Sequence, residues 1–246
     1  MAAVLADGVT VIESAACEPE VVDVANFLIA MGAKIQGAGS PTLTITGVKS
    51  LHGAEHHVIP DRIEAATFAI AAAMTNGEVT IKGARADHLH AVIDKMQEAG
   101  VVVDHRGADM IVRRGRKLKP SDVTTLPYSG FPTDVQAQLM TLLALAPGLS
   151  LVTDKVFPDR FLHAAELTRM GAIIRREGPT AILCGVPRLS GASVMASDLR
   201  ASAALVLAAL AADGDSVIRR IYHLDRGYER LEQKLAAVGA EIERVP

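Results

Sequence analysis

The sequence predicts an α/β protein made of repeated βαβαββ units, arranged inside out as a barrel with its most apolar helices at the centre and its sheets outside. Glycines that end helices recur at a nearly constant step: Gly32, Gly100, Gly171 and Gly239 lie 68, 71 and 68 residues apart, each before a predicted apolar strand. Three helical stretches, 63–74, 135–146 and 201–212, are apolar on nearly every face. Such helices are typically enclosed by the rest of the protein.

Composition narrows the class of protein. The chain has 246 residues, half of them apolar, a net charge of -3 and no long basic run, so we expect a packed core and no nucleic-acid partner. No apolar run is long enough to cross a membrane, and two cysteines cannot form a disulfide framework. This composition predicts a cytoplasmic protein without a membrane partner. Cys184 lies in the apolar stretch 181–184 and is predicted to be a buried core thiol.

The repeats divide the chain into two parts. Residues 1–8 have the composition of the last turns of a helix and its glycine stop, without a start signal. We therefore interpret 1–59 as the last unit of an incomplete first domain and 60–246 as a second domain of three units. In the first of these three, helix 63–74 precedes strand 79–81, helix 88–98 and a hairpin of strands 101–103 and 110–112.

The helix after Phe131-Pro132-Thr133-Asp134 begins the next unit and stops at Pro147-Gly148. Thr133 or Asp134 is predicted to cap its first amides, a role worth about 1 kcal/mol. The helix of the last unit begins at Asp198-Leu199-Arg200. If the units are pseudo-symmetric, the three apolar helices begin at one end of the domain, where their positive dipole ends add.

Six motifs, in order along the whole chain, carry a family resemblance. They are Glu18-Pro19-Glu20, Pro60-Asp61-Arg62-Ile63-Glu64, Phe131-Pro132-Thr133-Asp134-Val135-Gln136-Ala137-Gln138, Val156-Phe157-Pro158-Asp159-Arg160-Phe161, Asp198-Leu199-Arg200-Ala201-Ser202-Ala203 and Asp225-Arg226-Gly227-Tyr228-Glu229. The chain resembles the UDP-N-acetylglucosamine enolpyruvyl transferases, also called UDP-N-acetylglucosamine 1-carboxyvinyltransferases. The resemblance implies a transferase with the enolpyruvyl transferase fold, in which six βαβαββ units form two domains around a cleft.

The implied reaction moves the enolpyruvyl group of phosphoenolpyruvate to the 3-hydroxyl of UDP-N-acetylglucosamine and releases phosphate. By resemblance, Asp134 binds near that hydroxyl and removes its proton as the general base, and the backbone of Val156 touches the UDP-sugar. The reaction is the first committed step of peptidoglycan synthesis, which links the family to cell wall biogenesis, cell shape, the cell cycle and cell division.

The phosphoenolpyruvate side of the implied site is built from arginines. Arg160, Arg200 and Arg226 match the family residues that hold the phosphate and the carboxylate, and Asp198 matches an acidic neighbour. Guanidinium groups suit such a dianion because each gives paired, charge-assisted hydrogen bonds. No metal or organic cofactor is expected.

The sequence allows two interpretations of three further charged residues. Glu18, Glu20 and Arg62 are either interdomain or hinge contacts, or ordinary first-turn charges at the starts of helices.

The resemblance also implies an incomplete enzyme. The family's reactive cysteine and its phosphoenolpyruvate-binding lysine precede Met1 in alignment, so the chain is expected to lack an N-terminal half and to release no phosphate alone. One alternative is an enzyme that acts on shikimate 3-phosphate, as a 3-phosphoshikimate 1-carboxyvinyltransferase does. Another is a non-catalytic binding module or a gene remnant.

Overall fold

The computed structural model describes residues 1–245, which form two compact units. The first unit comprises Met1–Pro60 with Pro127–Gly130, and the second comprises Asp61–Leu126 with the chain from Phe131 onward. No helix in the described range is both long and apolar enough for a transmembrane span. The interpretation of these parts as one leftover unit and a three-unit domain stays a prediction.

The first unit is a small antiparallel sheet with one helix. After a short 3-10 helix at Ala2–Leu5 come β1 (Val9–Glu13), α1 (Pro19–Ala30), β2 (Lys34–Gln36) and β3 (Thr42–Thr46). The strands pair in the order β1-β3-β2. Its buried apolar cluster is small and consists of Val4, Ala33, Leu43 and Ile45.

The second unit contains the other eleven strands and six α-helices of the described chain. In order they are α2 (Arg62–Met74), β4 (Glu78–Ile81), α3 (His90–Glu98), β5 (Val101–Arg106), β6 (Asp109–Arg114), β7 (Val123–Thr125), α4 (Thr133–Leu143), β8 (Leu149–Asp154), α5 (Leu162–Arg169), β9 (Ile173–Glu177), β10 (Thr180–Cys184), β11 (Leu189–Ser190), β12 (Ser193–Met195), α6 (Leu199–Leu210), β13 (Ala212–Asp213), β14 (Val217–Arg219) and α7 (Leu231–Ala237). Short 3-10 helices lie at Ala86–His88 and Ile221–Arg226.

The predicted repeat appears in the strand order of three sheets. The strand orders are β1-β3-β2, β4-β6-β5 and β8-β10-β9. In each set the strand that comes last in the sequence (β3, β6 or β10) lies between the other two and pairs antiparallel with both. Each central strand alternates buried and less buried residues, as a strand with one covered face must. The buried residues are Leu43 and Ile45 in β3, Met110 and Val112 in β6, and Ala181 and Leu183 in β10.

The three apolar helices form the centre of the second unit, as predicted. Helices α2, α4 and α6 pack against one another, and each also contacts a strand outside it: β6, β8 and β11, respectively. Most of their residues are buried, including polar ones such as Thr67, Gln138 and Ser202. The two amphipathic helices α3 and α5 bury one face each, through Met96 and Leu167 among others.

The recurring glycines end helices in the left-handed conformation. Gly32, Gly100, Gly171 and Gly239 have φ between +88° and +101° and follow α1, α3, α5 and α7. A side chain disfavours this conformation, so glycine is the usual residue where a helix stops and the chain turns back. The constant step in the sequence therefore reflects one local turn that is used four times.

Two predictions about the core and the strands are wrong. Cys184 is exposed, because β10 alternates and this residue falls on the outward face after the buried Leu183. The predicted strand after Gly239 is absent from the described residues 240–245. A strand needs a hydrogen-bonded neighbour; this segment is held by Arg244, which donates to Asp225 over 2.6 and 3.2 Å.

Candidate active site

The N-termini of α2, α4 and α6 lie at one end of the helical core. Asp134 and Arg200, the second residues of α4 and α6, are hydrogen-bonded to each other. Thr67 and Gln138, the sixth residues of α2 and α4, are also hydrogen-bonded, over 3.2 Å. Contacts between equivalent positions show that the helices run in the same direction, so their positive dipole ends face the same region.

Two of these helices are capped by an aspartate and one is not. Asp61 accepts from the amides of Ile63 and Glu64 over 2.8 and 2.9 Å. Asp198 does the same for the two amides after Leu199, over 2.8 and 2.9 Å. Helix α4 begins after Pro132 without a side-chain cap, so the predicted capping by Thr133 or Asp134 is wrong.

Asp134 instead binds two arginines. Its Oδ1 accepts from Nη1 of Arg160 over 2.7 Å, and its Oδ2 accepts from Nη2 of Arg200 over 2.9 Å. Both partners come from distant elements, the loop before α5 and the first turn of α6. A side chain that is pulled outward by two guanidinium groups cannot turn back to the amides of its own helix.

The two arginines determine the acidity of the carboxylate. Burial acts to raise the pKa of Asp134, but the hydrogen bond and charge of Arg200, and then those of Arg160, outweigh it and lower the pKa. Asp134 is therefore ionised at neutral pH. The same contact raises the pKa of Arg200 against the opposing effect of burial.

A second carboxylate, Asp154, fixes the loop that carries Arg160. It is fully buried, and its Oδ1 accepts from the amides of Val156 and Phe157 over 3.0 and 2.8 Å and from the hydroxyl of Thr125 over 2.7 Å. Its Oδ2 accepts from the hydroxyl of Thr133 over 2.7 Å. Asp154 thus ties the end of β8 to the start of α4.

Asp154 was not among the candidate residues predicted from the sequence. The available signal was an aspartate directly after an apolar strand, with two following amides within reach of its side chain.

Arg226 is at the end of the 3-10 helix Ile221–Arg226 and is exposed. Within residues 1–245 its side chain makes no hydrogen bond or ion pair, which leaves its guanidinium available to a ligand. The structure thus joins Asp134, Arg160 and Arg200 by direct contact and places Asp198 at the head of the same helix as Arg200. Val156 is connected through Asp154, whereas no hydrogen bond or ion pair in the described chain joins the Arg226 side chain to the cluster.

The other three charged candidates are at the starts of helices. Glu18 precedes α1 and Glu20 lies in its first turn, while Arg62 is the buried first residue of α2. Their assignment as interdomain or hinge contacts stays a prediction.

His163 is a buried titratable group near the site, and it was not among the residues predicted from the sequence. It lies in α5 with 1% of its surface exposed, and neither ring nitrogen has a hydrogen-bond partner in the described chain. Burial lowers its pKa to about 4, with Asp198 and Asp154 opposing and Arg160 adding to the effect. The imidazole is therefore neutral at pH 7.

Solved structures similar to this chain include an enolpyruvyl transferase, which indicates the class of protein. The enolpyruvyl transferase NikO from Streptomyces tendae superposes with a TM-score of 0.89 at 31% identity, covering 98% of this chain and 58% of that one. EPSP synthase from Acinetobacter baumannii has a TM-score of 0.74 at 21% identity, covering 100% of this chain and 60% of that one, and supports the fold alone. The predicted fold class is confirmed.

The chain belongs to the EPSP synthase (3-phosphoshikimate 1-carboxyvinyltransferase) family, whose model matches residues 1–235. It is 56% identical over 246 residues to the UDP-N-acetylglucosamine 1-carboxyvinyltransferase of Magnetococcus marinus. It is 58% identical over 247 residues to UDP-N-acetylglucosamine 1-carboxyvinyltransferase 2 of Carboxydothermus hydrogenoformans. Both matches cover all of this chain and 59% of the relative. The predicted resemblance is confirmed, and the chain spans about three fifths of these relatives.

Proposed function

We propose that the chain carries the general base and the phosphoenolpyruvate-binding arginines of a UDP-N-acetylglucosamine enolpyruvyl transferase active site. The observation that supports this most directly is the carboxylate of Asp134 between Arg160 and Arg200, at the N-terminal ends of α4 and α6. Two guanidinium groups and two helix N-termini favour a ligand with a phosphate and a carboxylate close together.

In the proposed transfer each of these residues has a role. Phosphoenolpyruvate binds to Arg160, Arg200 and Arg226, with Asp198 as their acidic neighbour. Asp134 removes the proton of the sugar 3-hydroxyl as its oxygen attacks C2, while a group elsewhere in the enzyme protonates C3. Loss of phosphate from C2 and of a proton from C3 then restores the double bond. The amide of Val156 is already bound by Asp154, so the carbonyl and the side chain of Val156 are the groups that would contact the UDP-sugar.

The arginines also explain how a carboxylate with a lowered pKa becomes a base. Without ligand, Arg160 and Arg200 stabilise ionised Asp134 and make it a poor proton acceptor. A bound dianion shares these guanidinium groups, weakens their hold on Asp134 and adds a negative charge nearby. Both effects raise the pKa of the carboxylate, so its basicity increases when phosphoenolpyruvate is present.

The cellular role follows from the same proposal. The reaction would serve peptidoglycan synthesis in the cytoplasm, and through it cell wall biogenesis, cell shape, the cell cycle and cell division. The partners are phosphoenolpyruvate, UDP-N-acetylglucosamine and the part of the enzyme that corresponds to the unmatched two fifths of the relatives. The identity to UDP-N-acetylglucosamine 1-carboxyvinyltransferases favours this substrate over shikimate 3-phosphate.

Calorimetric titration of the 246-residue chain tests the proposal. We expect phosphoenolpyruvate to bind, with an affinity that falls at least about tenfold in Arg200→Ala because charge-assisted bonds are lost. The matched control is Arg113→Ala, which removes an exposed arginine paired with Asp104 on the β5–β6 hairpin. UDP-N-acetylglucosamine should bind and shikimate 3-phosphate should not; the reverse preference, or no response to Arg200→Ala, would overturn the proposal.

A further inference from the structure

A buried polar cluster lies next to Arg200. It consists of the hydroxyls of Thr67 in α2 and Tyr228 before α7, together with the side-chain amide of Gln138 in α4. Tyr228 and Thr67 are each 1% exposed and Gln138 is fully buried. Buried polar groups are costly unless they are hydrogen-bonded, so three elements are held in one arrangement here.

The hydrogen-bond directions follow from the number of protons available. The hydroxyl of Thr67 donates its only proton to the carbonyl of Ile63 over 2.8 Å. Its oxygen must therefore accept from the Tyr228 hydroxyl, 2.9 Å away. Gln138 Nε2 in turn shares its two protons among three acceptors: the oxygens of Tyr228 and Thr67, each over 3.2 Å, and the carbonyl of Asp134 over 3.1 Å. Burial raises the pKa of Tyr228, which keeps the phenol protonated as this arrangement requires.

The ring of Tyr228 supports the guanidinium of Arg200. The Cζ atom of Arg200 lies 5.6 Å from the ring centroid, within the range of a cation–π contact. The guanidinium is bound at its outer end by Asp134, while its buried Nε has no hydrogen-bond partner in the described chain. The ring face is therefore a second restraint on the position of Arg200.

We infer that Tyr228 is a positioning residue, whose ring holds the Arg200 guanidinium in place and whose hydroxyl fixes that ring to α2 and α4. Tyr228 itself is enclosed and acts only through Arg200. The hydroxyl network sets the distance of the ring from α4, and the ring sets the position of the guanidinium relative to Asp134. The inference rests on the proposed function for the identity of the ligand, but its restraint on Arg200 does not depend on any ligand.

Tyr228→Leu removes the ring face and the hydroxyl together. We expect the pKa of Asp134, followed by carboxyl 13C NMR, to rise toward its usual range because Arg200 is held less firmly. The affinity of the chain for phosphoenolpyruvate should fall about fivefold to twentyfold, the equivalent of one desolvated cation–π contact. The matched control is Tyr222→Leu, since Tyr222 is an exposed tyrosine of the preceding 3-10 helix that contacts Arg220. Both readouts should stay at the wild-type value in this control.

A shape-preserving series keeps the inference testable if Tyr228→Leu does not fold. Tyr228→Phe retains the ring, and phenylalanines with increasing ring fluorination at position 228 weaken its negative face without changing its shape. The affinity for phosphoenolpyruvate should fall stepwise along the series, and the pKa of Asp134 should rise in parallel. A merely structural tyrosine would give neither trend, and two flat readouts in folded variants would overturn the inference.

The two readouts separate this inference from the proposed function. If the wild-type chain does not bind phosphoenolpyruvate, the proposed function fails, while the titration of Asp134 across the same variants still decides whether Tyr228 positions Arg200.

Discussion

Asp134 shows how tertiary contacts change the role of a residue. Its place in the first turn of a helix is typical of a local capping role, yet its carboxylate binds Arg160 and Arg200 from elements 26 and 66 residues away in sequence. The motif resemblance selected Asp134, whereas the local pattern alone favoured the cap. A local pattern cannot show which distant cations will compete for a carboxylate.

Asp134→Asn tests the base. In an enzyme of the relatives' full length that contains this chain, we expect kcat to fall about 10²–10⁴-fold, because the amide cannot accept the hydroxyl proton. Phosphoenolpyruvate should still bind, since the substitution frees both arginines and removes a negative charge beside the dianion. Steady-state phosphate release and calorimetry measure the two effects. The control is Asp159→Asn, at an exposed aspartate that is paired with Arg176. Unchanged turnover in Asp134→Asn would exclude Asp134 as the base.

His163 predicts a pH dependence of stability. Its pKa is about 4 in the folded chain and close to the ordinary value of about 6.5 when unfolded, so the unfolded chain binds more protons between these values. The stability is fully present above pH 6.5 and decreases as the pH falls toward 4, by about 3 kcal/mol in total. The charges of Asp198 and Asp154 act to raise the pKa of His163, but the effect of burial is larger and keeps the pKa low.

We therefore expect His163→Leu to lie within about 1 kcal/mol of wild type at pH 7, since no hydrogen bond of the ring is lost. At pH 4.5 the variant should be more stable by about 2–3 kcal/mol. Urea unfolding at the two pH values measures the difference, with the exposed His57→Gln as control. Equal differences at both pH values would contradict the assignment.

At the scale of elements, the sequence was informative wherever a single turn specifies the structure. The glycines after α1, α3, α5 and α7 predicted those helix ends because the left-handed turn is local. The hairpin of β5 and β6 was predicted for the same reason. The turn of Asp154 onto the amides of Val156 and Phe157 was a local signal of this kind. Its contacts with Thr125 and Thr133, and that of Tyr228 with Thr67, carried no such signal because these partners come from other elements.

The caps of α2 and α6 give a prediction about elements. Asp198→Ala should lower the free energy of unfolding by about 1–2 kcal/mol, because two amides lose their acceptor, and Asp61→Ala should cost a similar amount at α2. Asp198→Asn keeps an acceptor oxygen and should cost less than about 0.5 kcal/mol. Thermal and urea unfolding of the three variants provide the measurement. A large loss in Asp198→Asn would show that its charge, rather than the cap, stabilises the chain.

At the scale of the whole molecule, the two units differ in how much core each encloses. The second unit buries a continuous apolar cluster that includes the three central helices. In the first unit the fully covered cluster is limited to Val4, Ala33, Leu43 and Ile45. Several large apolar side chains of β1 and α1 are exposed: Val9, Val11, Ile12, Val24, Phe27 and Ile29. A segment of about 60 residues is marginal even with a good core.

We therefore expect the two units to behave differently when they are produced separately. A fragment from Asp61 to the end of the chain should unfold cooperatively, because it keeps every residue of the large cluster and all the contacts of Asp134, Arg160 and Arg200. A peptide of Met1–Pro60 should show no cooperative thermal transition, since a cluster of four buried apolar residues cannot offset the conformational entropy of ordering the segment. Circular dichroism melts of both, beside the 246-residue chain, make the comparison. A sharp transition in the short peptide, or its absence in the long fragment, would show that the stability of the chain is distributed differently from its buried apolar surface.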